Sequence, residues 1–309
     1  MKYFYKRDDI NIYSLTPAYS AGKGKIVAGK RIIFLDSFYA SERPVANDKK
    51  IGSVGHFHPE EHIAYNIEGG RRFRVGDNWY TLKPGDVSVS YPNVTHEGNS
   101  DASYKVLNFK DRINGHSVYS YGAWEPGAEE FYSHIEALIE EGKKFSSTDP
   151  WFKDISEIPV YTWSKMNEYQ ESIYSTGKVK MIVGDKIYVY LARYEEDRGM
   201  GDGQPGMKPH SHPEEKIMQL TSGNAQFRVG DEWFTPAIGD IIYVPANTEH
   251  EAKGIDGKPF EIVGLKNRVF GHNTYNDTWE EGAKELNKKL DELYEESEKF
   301  VNIDPWYKD

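Results

Sequence analysis

Cysteine is absent from this chain of 309 residues. Its absence excludes disulfide bonds, thiolate nucleophiles and thiolate-held metals, so any bound metal must have nitrogen or oxygen ligands. No apolar run approaches the roughly 18 residues that cross a membrane, and residues 1–9 lack the apolar stretch of a secretion signal. We therefore expect a cytoplasmic protein with no membrane partner.

Basic residues are fewer than acidic ones. The chain has 38 Lys and Arg against 49 Asp and Glu, a net charge of 38 − 49 = −11, and no basic run offsets this locally. Nucleic acids and anionic membrane surfaces are therefore excluded as partners, and a small-molecule substrate is expected. Because 38% of the residues are hydrophobic and 28 are glycine, we expect packed cores with many turns, which favours β-structure.

The chain carries one pattern twice. FRVGDNW begins at residue 73 and FRVGDEW at residue 227, an offset of 227 − 73 = 154. Other matching pairs are residues 56–61 and 210–215, and the Asp-Pro-Trp tails at 149–154 and 304–309. A period this long indicates a duplicated domain rather than a solenoid repeat. We predict an N-terminal domain of residues 1–154 and a C-terminal domain of residues 155–309, and the shared tail leaves a homo-oligomer open.

Each copy places short strand-like runs before a helix-like tail. In the first copy, runs rich in β-branched and aromatic residues cover residues 32–35, 63–67, 73–75, 79–82 and 87–91. Glycine turns separate these runs, a pattern typical of a sandwich or barrel. Apolar residues then recur at helical spacing, from Phe131 to Phe145 and from Leu286 to Phe300. The sequence predicts an all-β-dominated fold of two tandem barrels, each followed by an amphipathic α-helix.

Histidines occur at matching places in the two copies. An H-x-H pair on a strand presents two imidazoles on one face, because side chains alternate with a period of two. A third nitrogen joins them if the strand with the distal histidine lies alongside, and His62 can return to that face across a bulge. Neutral imidazoles suit Mn, Fe, Co, Ni, Cu or Zn rather than Ca or Mg; histidines without a metal are the alternative. The candidate metal ligands are His56, His58, His62 and His96 in the first copy, and His210, His212 and His250 in the second.

These motifs resemble the two signatures of the cupin superfamily. The first, G-x5-H-x-H-x3/4-E-x6-G, is matched from His56 to Gly69, and the second, G-x5-P-x4-H-x3-N, from Gly85 to His96. The second copy repeats both, so the chain is similar to a bicupin over nearly all of both halves. The resemblance implies that each half is a double-stranded β-helix, or jelly-roll, barrel with a metal inside its mouth.

The copies depart from the family pattern at its glutamate ligand, where His62 stands in the first half and Lys216 in the second. The first half is therefore similar to the four-histidine cupins, whereas the second offers three histidines. Glu61 and Glu215 lie one residue earlier and would face the other side of a strand, so their ligation stays open. Lys216 either replaces or repels a metal and binds a substrate carboxylate, or turns out to solvent.

Aromatic residues at alternate strand positions are expected in the barrel cores, and those near a mouth would shape a substrate pocket. We assign Tyr65, Phe73 and Tyr91, together with Lys216, as candidate substrate contacts.

The resemblance implies a metal-dependent enzyme. We expect a dioxygenase-like oxidoreductase in which Mn or Fe in the first half binds a small oxygenated substrate, such as a diketone, catechol or keto acid, and activates it toward O2. Ni, Co, Cu or Zn are the other candidate metals, and a second metal site is open in the second half. The alternatives are a redox-neutral isomerase, lyase or decarboxylase, and a non-catalytic, ligand-binding bicupin.

Overall fold

The computed structural model of the chain describes residues 2–43, 45–120, 122–145, 147–154, 158–301 and 304–308. Within these ranges the chain forms strands β1 to β26 and the helices α1 and α2. Ile155, where the predicted boundary between the domains falls, lies outside the described residues.

The elements up to the first helix are β1 (Phe4–Tyr5), β2 (Ile12–Ser14), β3 (Lys23–Ala28), β4 (Ile32–Tyr39), β5 (Ile51–Gly52), β6 (His62–Glu68), β7 (Arg71–Val75), β8 (Asn78–Leu82), β9 (Asp86–Ser90), β10 (His96–Ser100), β11 (Tyr104–Asp111), β12 (His116–Ser117), β13 (Ala123–Trp124) and α1 (Ala128–Gly142).

The remaining elements are β14 (Val160–Thr162), β15 (Tyr169–Ser172), β16 (Ser175–Val183), β17 (Ile187–Tyr194), β18 (Gly206–His210), β19 (Lys216–Gly223), β20 (Ala225–Val229), β21 (Glu232–Phe234), β22 (Ile241–Val244), β23 (His250–Gly254), β24 (Phe260–Asn267), β25 (His272–Asn273), β26 (Thr278–Trp279) and α2 (Ala283–Ser297). Short 3-10 helices lie at Arg7–Asp9, Pro150–Asp154, Trp163–Lys165, Ile255–Gly257 and Pro305–Lys308.

The N-terminal barrel is the compact unit Asn11–Ala137, Glu157–Met166 and Glu292–Asp309. Its larger sheet has the order β14-β9-β6-β11-β4-β3-β2, and its smaller sheet has the order β5-β10-β7-β8. Neighbouring strands pair antiparallel, so alternate side chains enter the barrel. Phe34 and Phe109 in the larger sheet are fully buried and meet edge to face.

The C-terminal barrel is the compact unit Met1–Ile10, Leu138–Ser156 and Asn167–Asp291. Its strands follow the order β1-β22-β19-β24-β17-β16-β18-β23-β20-β21, with β15 on the outer side of β16. The core packs aromatic residues such as Tyr194 and Phe260 against aliphatic residues. The expected fold of two tandem cupin barrels, each followed by a helix, is therefore confirmed.

Both predicted helices form, with the apolar positions on the buried face. Ile135 and Ile139 of α1 are buried, as are Leu286 and Leu290 of α2. Acidic residues occupy the first turn of each helix, where the helix dipole favours negative charge. No described helix is long and apolar enough to cross a membrane.

The two repeated tails do not stay with the barrels that precede them in sequence. Trp151, in the tail of the first copy, is buried in the core of the C-terminal barrel. Trp306, in the tail of the second copy, belongs to the N-terminal barrel and meets Tyr13 and Tyr119 edge to face. Each tail belongs to the barrel of the other sequence copy. The compact units therefore combine segments of both copies.

Candidate metal centres

Three histidines of the N-terminal barrel converge on one point. His56 and His96 exchange both backbone hydrogen bonds, at 3.0 and 2.8 Å, which sets their side chains next to each other. His58 follows two residues after His56 and therefore returns to the same side. One ring nitrogen from each of the three histidines lies within 4.8 Å of the others. This is the geometry of a three-imidazole metal site.

The protonated nitrogen of each ring is fixed by a backbone carbonyl. His56 Nδ1 lies 2.8 Å from the carbonyl oxygen of Val54, and His96 Nδ1 lies 2.9 Å from that of Val94. His58 Nδ1 likewise lies 3.0 Å from a backbone carbonyl oxygen, that of Glu60. Because a carbonyl only accepts, each Nδ1 must carry the proton, and each Nε2 keeps its lone pair.

Burial keeps these imidazoles neutral. Burial, together with the neighbouring His58, lowers the pKa of His56 to about 3. Burial likewise lowers the pKa of His58 and holds the pKa of His96 well below the ordinary value. Neutral imidazoles are the form that binds a metal.

The unpaired nitrogens support metal occupancy. His96 Nε2 is buried without a hydrogen-bond partner, as are His212 Nε2 and His250 Nε2 in the second barrel. Buried polar atoms are normally satisfied, so a cluster of orphaned lone pairs aimed at one point is best explained by a cation between them. His58 Nε2 is 3.3 Å from the ammonium nitrogen of Lys110, which donates to it.

His62 lies beside the triad rather than in it. Its ring centre is 5.9 Å from that of His58 and 6.1 Å from that of His96. His62 Nε2 donates to the Oδ1 of Asn108 at 2.8 Å, which leaves His62 Nδ1 buried and without a partner. Its ligation as a fourth histidine stays a prediction.

The second triad repeats this arrangement. His210 and His250 pair along the backbone, and with His212 their nitrogens also lie within 4.8 Å of one another. Each Nδ1 again contacts a backbone carbonyl oxygen, at 2.7 Å for His210 and 2.9 Å for the other two. Burial lowers the pKa of His210 to about 4. Both halves therefore carry a candidate metal centre.

A buried carboxylate stands behind each triad. Glu60 Oε2 is 3.2 Å from His58 Nδ1, and Glu60 Oε1 is 2.7 Å from His116 Nδ1. Glu214 joins His212 to His272 in the same way, at 3.3 and 2.6 Å. We did not predict this layer from the sequence. A signal was present, since a glutamate follows the second histidine by two residues in both copies and a Gly-His pair recurs downstream.

The neighbouring glutamates Glu61 and Glu215 do not approach the triads closely enough to join them among the described residues. The backbone N–H of Glu61 donates to Asp111, and a carboxylate oxygen of Glu215 accepts from the hydroxyl of Tyr243 at 2.5 Å. Both side chains are buried.

Ion pairs hold the strand that carries the distal histidine. Glu97, which follows His96, binds Arg43 at 2.8 Å and Arg74 at 3.1 Å. In the second barrel Arg198 and Arg228 bind the equivalent glutamate at 2.8 and 2.7 Å. Arg74 and Arg228 therefore have the same structural role in the two barrels.

The N-terminal triad opens into a cavity of about 90 Å³. Apolar residues such as Leu15, Ile33 and Leu35 form part of its wall. Its polar lining includes His62, Arg71, Ser88, Ser90, Asn108 and Lys110. Asp304 and Trp306 from the C-terminal tail also line it. The triad therefore faces a space that can hold a small molecule.

The predicted substrate contacts divide between this cavity and other places. Phe73 lines the cavity. Tyr65 lies on the opposite face of β6 from His62 and packs against Trp163, and Tyr91 packs against the apolar cluster around Phe73. Neither tyrosine is among the described residues that line the cavity, and a substrate contact stays a prediction for all three residues.

Lys216 is buried, with only 1% of its surface exposed, so the expectation that it turns to solvent is wrong. It lines a smaller space of about 20 Å³ with His210 and His212. Its ammonium lies 5.5 Å from the ring centre of Tyr190, and burial lowers the pKa of Lys216 to about 7. A buried lysine whose charged form is disfavoured therefore occupies the place that corresponds to His62.

The interior of the C-terminal barrel is filled. Tyr190 lies over Gly264, where a Cβ would come within 2.2 Å of the tyrosine hydroxyl. The equivalent pair in the first barrel is Leu35 opposite Asn108, both of which line the cavity. The second triad therefore adjoins a packed core.

Arg71 is the buried cation of the N-terminal cavity. It alternates inward with Phe73 along β7, and its surface is 8% exposed. One Nη donates to the hydroxyl of Ser88 at 2.8 Å, whereas Nε is buried without a partner. Its guanidinium lies 5.4 Å from the ring of Phe73 and 5.9 Å from that of Tyr104. Among the described residues no carboxylate pairs with it.

Comparison with family models assigns a cupin-type domain to each half. Residues 40–113 match the model described as an AraC-like ligand binding domain, and residues 200–265 match the Cupin domain model. No curated protein matches the chain.

Several solved structures share the fold. AerE from Microcystis aeruginosa is 16% identical, with a TM-score of 0.56 over 86% of this chain and 99% of its own. A single-residue variant of oxalate decarboxylase from Bacillus subtilis is 16% identical, with a TM-score of 0.55 over 90% of this chain and 78% of its own. Ylba from E. coli is 10% identical, with a TM-score of 0.53 over 87% of this chain and 94% of its own. At these identities the likeness shows the fold alone.

Proposed function

The chain is a bicupin, and from its two histidine triads we propose that it is a metal-dependent enzyme whose reaction takes place in the N-terminal barrel. The observation that carries this proposal is the convergence of three lone pairs at a cavity large enough for a small organic substrate. The second triad adjoins a filled core, which supports a structural metal site there rather than a second reaction centre.

Imidazole donors and orphaned nitrogens suit a divalent transition metal. A metal held by His56, His58 and His96 would supply Lewis-acid polarisation of a substrate oxygen, and Mn or Fe would add redox chemistry. A solved structure of oxalate decarboxylase is described by its Mn(II) centres, which supports Mn as the first metal to test. Ni, Co, Cu and Zn remain candidates.

The protein residues around the triad have separate tasks. The backbone carbonyl of Glu60 accepts from His58 Nδ1, and the Glu60 carboxylate lies 3.2 Å from the same nitrogen, so that Glu60 fixes the orientation of the ring. The ammonium of Lys110, which now donates to His58 Nε2, would donate to a substrate oxygen once that lone pair is engaged. Leu15, Ile33 and Leu35 exclude water from the neighbouring wall. Together they form a preorganised site for negative charge that develops on a substrate oxygen.

A redox-neutral reaction fits this cationic environment best. Decarboxylation, isomerisation and lyase reactions that pass through an enolate or carbanion develop negative charge on the substrate, which Lys110 would stabilise. The oxygenase expectation is the second candidate. It is supported by the apolar wall of the cavity, because a dry site protects reactive intermediates from water.

The test is turnover of small keto acids, hydroxy acids and diketones by Mn- and Fe-loaded protein, followed by product analysis and an oxygen electrode. Product that forms at the same rate without O2 supports the redox-neutral reaction. Oxygen uptake matched to product formation supports the oxygenase. The variants His58→Ala and His212→Ala form the matched pair, and activity should be lost only in the first.

A non-catalytic, ligand-binding protein is the competing interpretation. It would be favoured if loaded protein bound these compounds without turning any of them over, and if the two histidine variants behaved alike. The cytoplasmic location of the protein and its assembly into a homo-oligomer stay predictions.

A further inference from the structure

We propose that Arg71 is a carboxylate-binding residue, so that the substrate of the N-terminal barrel is a small organic acid held between Arg71 and the histidine triad. This inference rests on the proposed function for the reacting end of the substrate. Recognition of the carboxylate depends on Arg71 and its own surroundings.

An unpaired buried guanidinium is unusual because it is costly. Charged side chains are almost never fully buried unless they are paired. Within the part of the chain that the structure describes, Arg71 has one hydrogen bond, to the neutral hydroxyl of Ser88, and its neighbours Phe73 and Tyr104 offer ring faces rather than charge. If the cation had no binding role, an apolar residue at position 71 would make the fold more stable. The position of Arg71 is therefore explained by an anion that is its partner for part of the time.

The second barrel provides an internal comparison. Ala225 stands where Arg71 stands in the first barrel, at the start of the equivalent strand. Ser88 is replaced by Ile242 and Tyr104 by Phe260, each at the matching register. All three replacements are buried in an apolar core. The same fold thus packs well without the polar set, which separates Arg71 from the requirements of the barrel itself.

The chemistry of the site favours a carboxylate over other anions. A guanidinium binds a carboxylate through two parallel N–H donors, and the unpartnered Nε supplies one side of such a fork. The adjoining Phe73 ring suits the short carbon chain of an organic acid. Arg71 also lines the same cavity as the three histidines of the triad. A single small molecule can therefore reach both Arg71 and the triad.

The test measures the binding of acetate, pyruvate and malonate to metal-free protein by calorimetry and thermal melting, at constant ionic strength. Acetamide and malonamide serve as neutral isosteres, and sulfate serves as a non-carboxylate anion. The variants are Arg71→Met, Arg71→Lys and the matched control Arg72→Met. Arg72 is exposed on the next position of the same strand, 4.4 Å from the ring of Trp79.

We expect carboxylates, and not the amides, to raise the melting temperature of the wild type and of R72M. R71M should bind carboxylates roughly 10- to 150-fold more weakly, the usual effect of losing a hydrogen bond to a charged group. It should melt no lower than the wild type without ligand, because a buried unpaired charge has been removed. R71K should bind with intermediate affinity, since it keeps the charge and loses the fork.

Unchanged carboxylate binding in R71M would overturn the proposal, as would a wild-type response to sulfate as large as the response to pyruvate, which would indicate an adventitious anion only. If R71M does not fold, the test depends on R71K. Carboxylate binding by R71K that equals that of the wild type would count against recognition through the two parallel N–H donors of Arg71. Failure of the metal-dependent reaction is distinguishable, because carboxylate binding by metal-free protein would persist without it.

Discussion

The ring of Tyr190 occupies the space above Gly264 in the C-terminal barrel, so closely that any side chain at residue 264 would collide with it. In the N-terminal barrel the same two positions carry Leu35 and Asn108, and the space between the sheets stays open. One aromatic side chain therefore contributes much of the difference between a barrel with a cavity and a barrel with a solid core.

The first prediction follows from this pair. Tyr190→Ala should destabilise the C-terminal barrel by about 3–5 kcal/mol, the usual cost of truncating a buried aromatic residue. Leu35→Ala, at the equivalent position beside an open cavity, should cost clearly less. Urea unfolding followed by tryptophan fluorescence measures both. Equal costs for the two variants would mean that the second core is no better filled than the first.

Much of this fold is predictable from sequence because its signals are local. The run at residues 63–67 lies within strand β6, and the H-x-H pairs place two imidazoles on one side as strand periodicity requires. Long-range relationships carry no such signal. The burial of Lys216 depends on the core around it, and the docking of Trp306 on the first barrel depends on the path of the tail. Periodicity within one strand constrains neither.

Metal loading should report on the two centres separately. Wild-type protein should bind two equivalents of a divalent transition metal, His96→Ala and His250→Ala one each, and the double variant none. A metal at 100 times its dissociation constant should stabilise its barrel by about 2.7 kcal/mol, and a chelator should reverse the effect. Elemental analysis and thermal melting give the two readouts. Two equivalents retained by His96→Ala would remove that histidine from the ligand set.

The carboxylates behind the triads should tune metal affinity. Glu60→Gln keeps the size of the side chain but removes the charge that orients His58, so metal affinity at the first centre should fall about 10- to 100-fold. Glu214→Gln should have the same effect on the second centre only. Competition with a coloured chelator measures each affinity. If both variants weakened the same centre, the assignment of one glutamate to each triad would be wrong.

The C-terminal barrel should gain stability from a protonated histidine at mildly acidic pH. Burial lowers the pKa of His272, but the hydrogen bond and charge of Glu214, with the hydrogen bond to Asp277, outweigh burial and raise it above the ordinary value of 6.5. The folded state therefore holds this proton more tightly than the unfolded state. The resulting stabilisation is complete below pH 6.5 and is lost as the pH rises through the raised pKa. Unfolding of metal-free protein by urea at a series of pH values should reveal this loss for the wild type. His272→Asn keeps a polar group there without a charge and should flatten the profile in that window, whereas an unchanged profile would place the titrating group elsewhere.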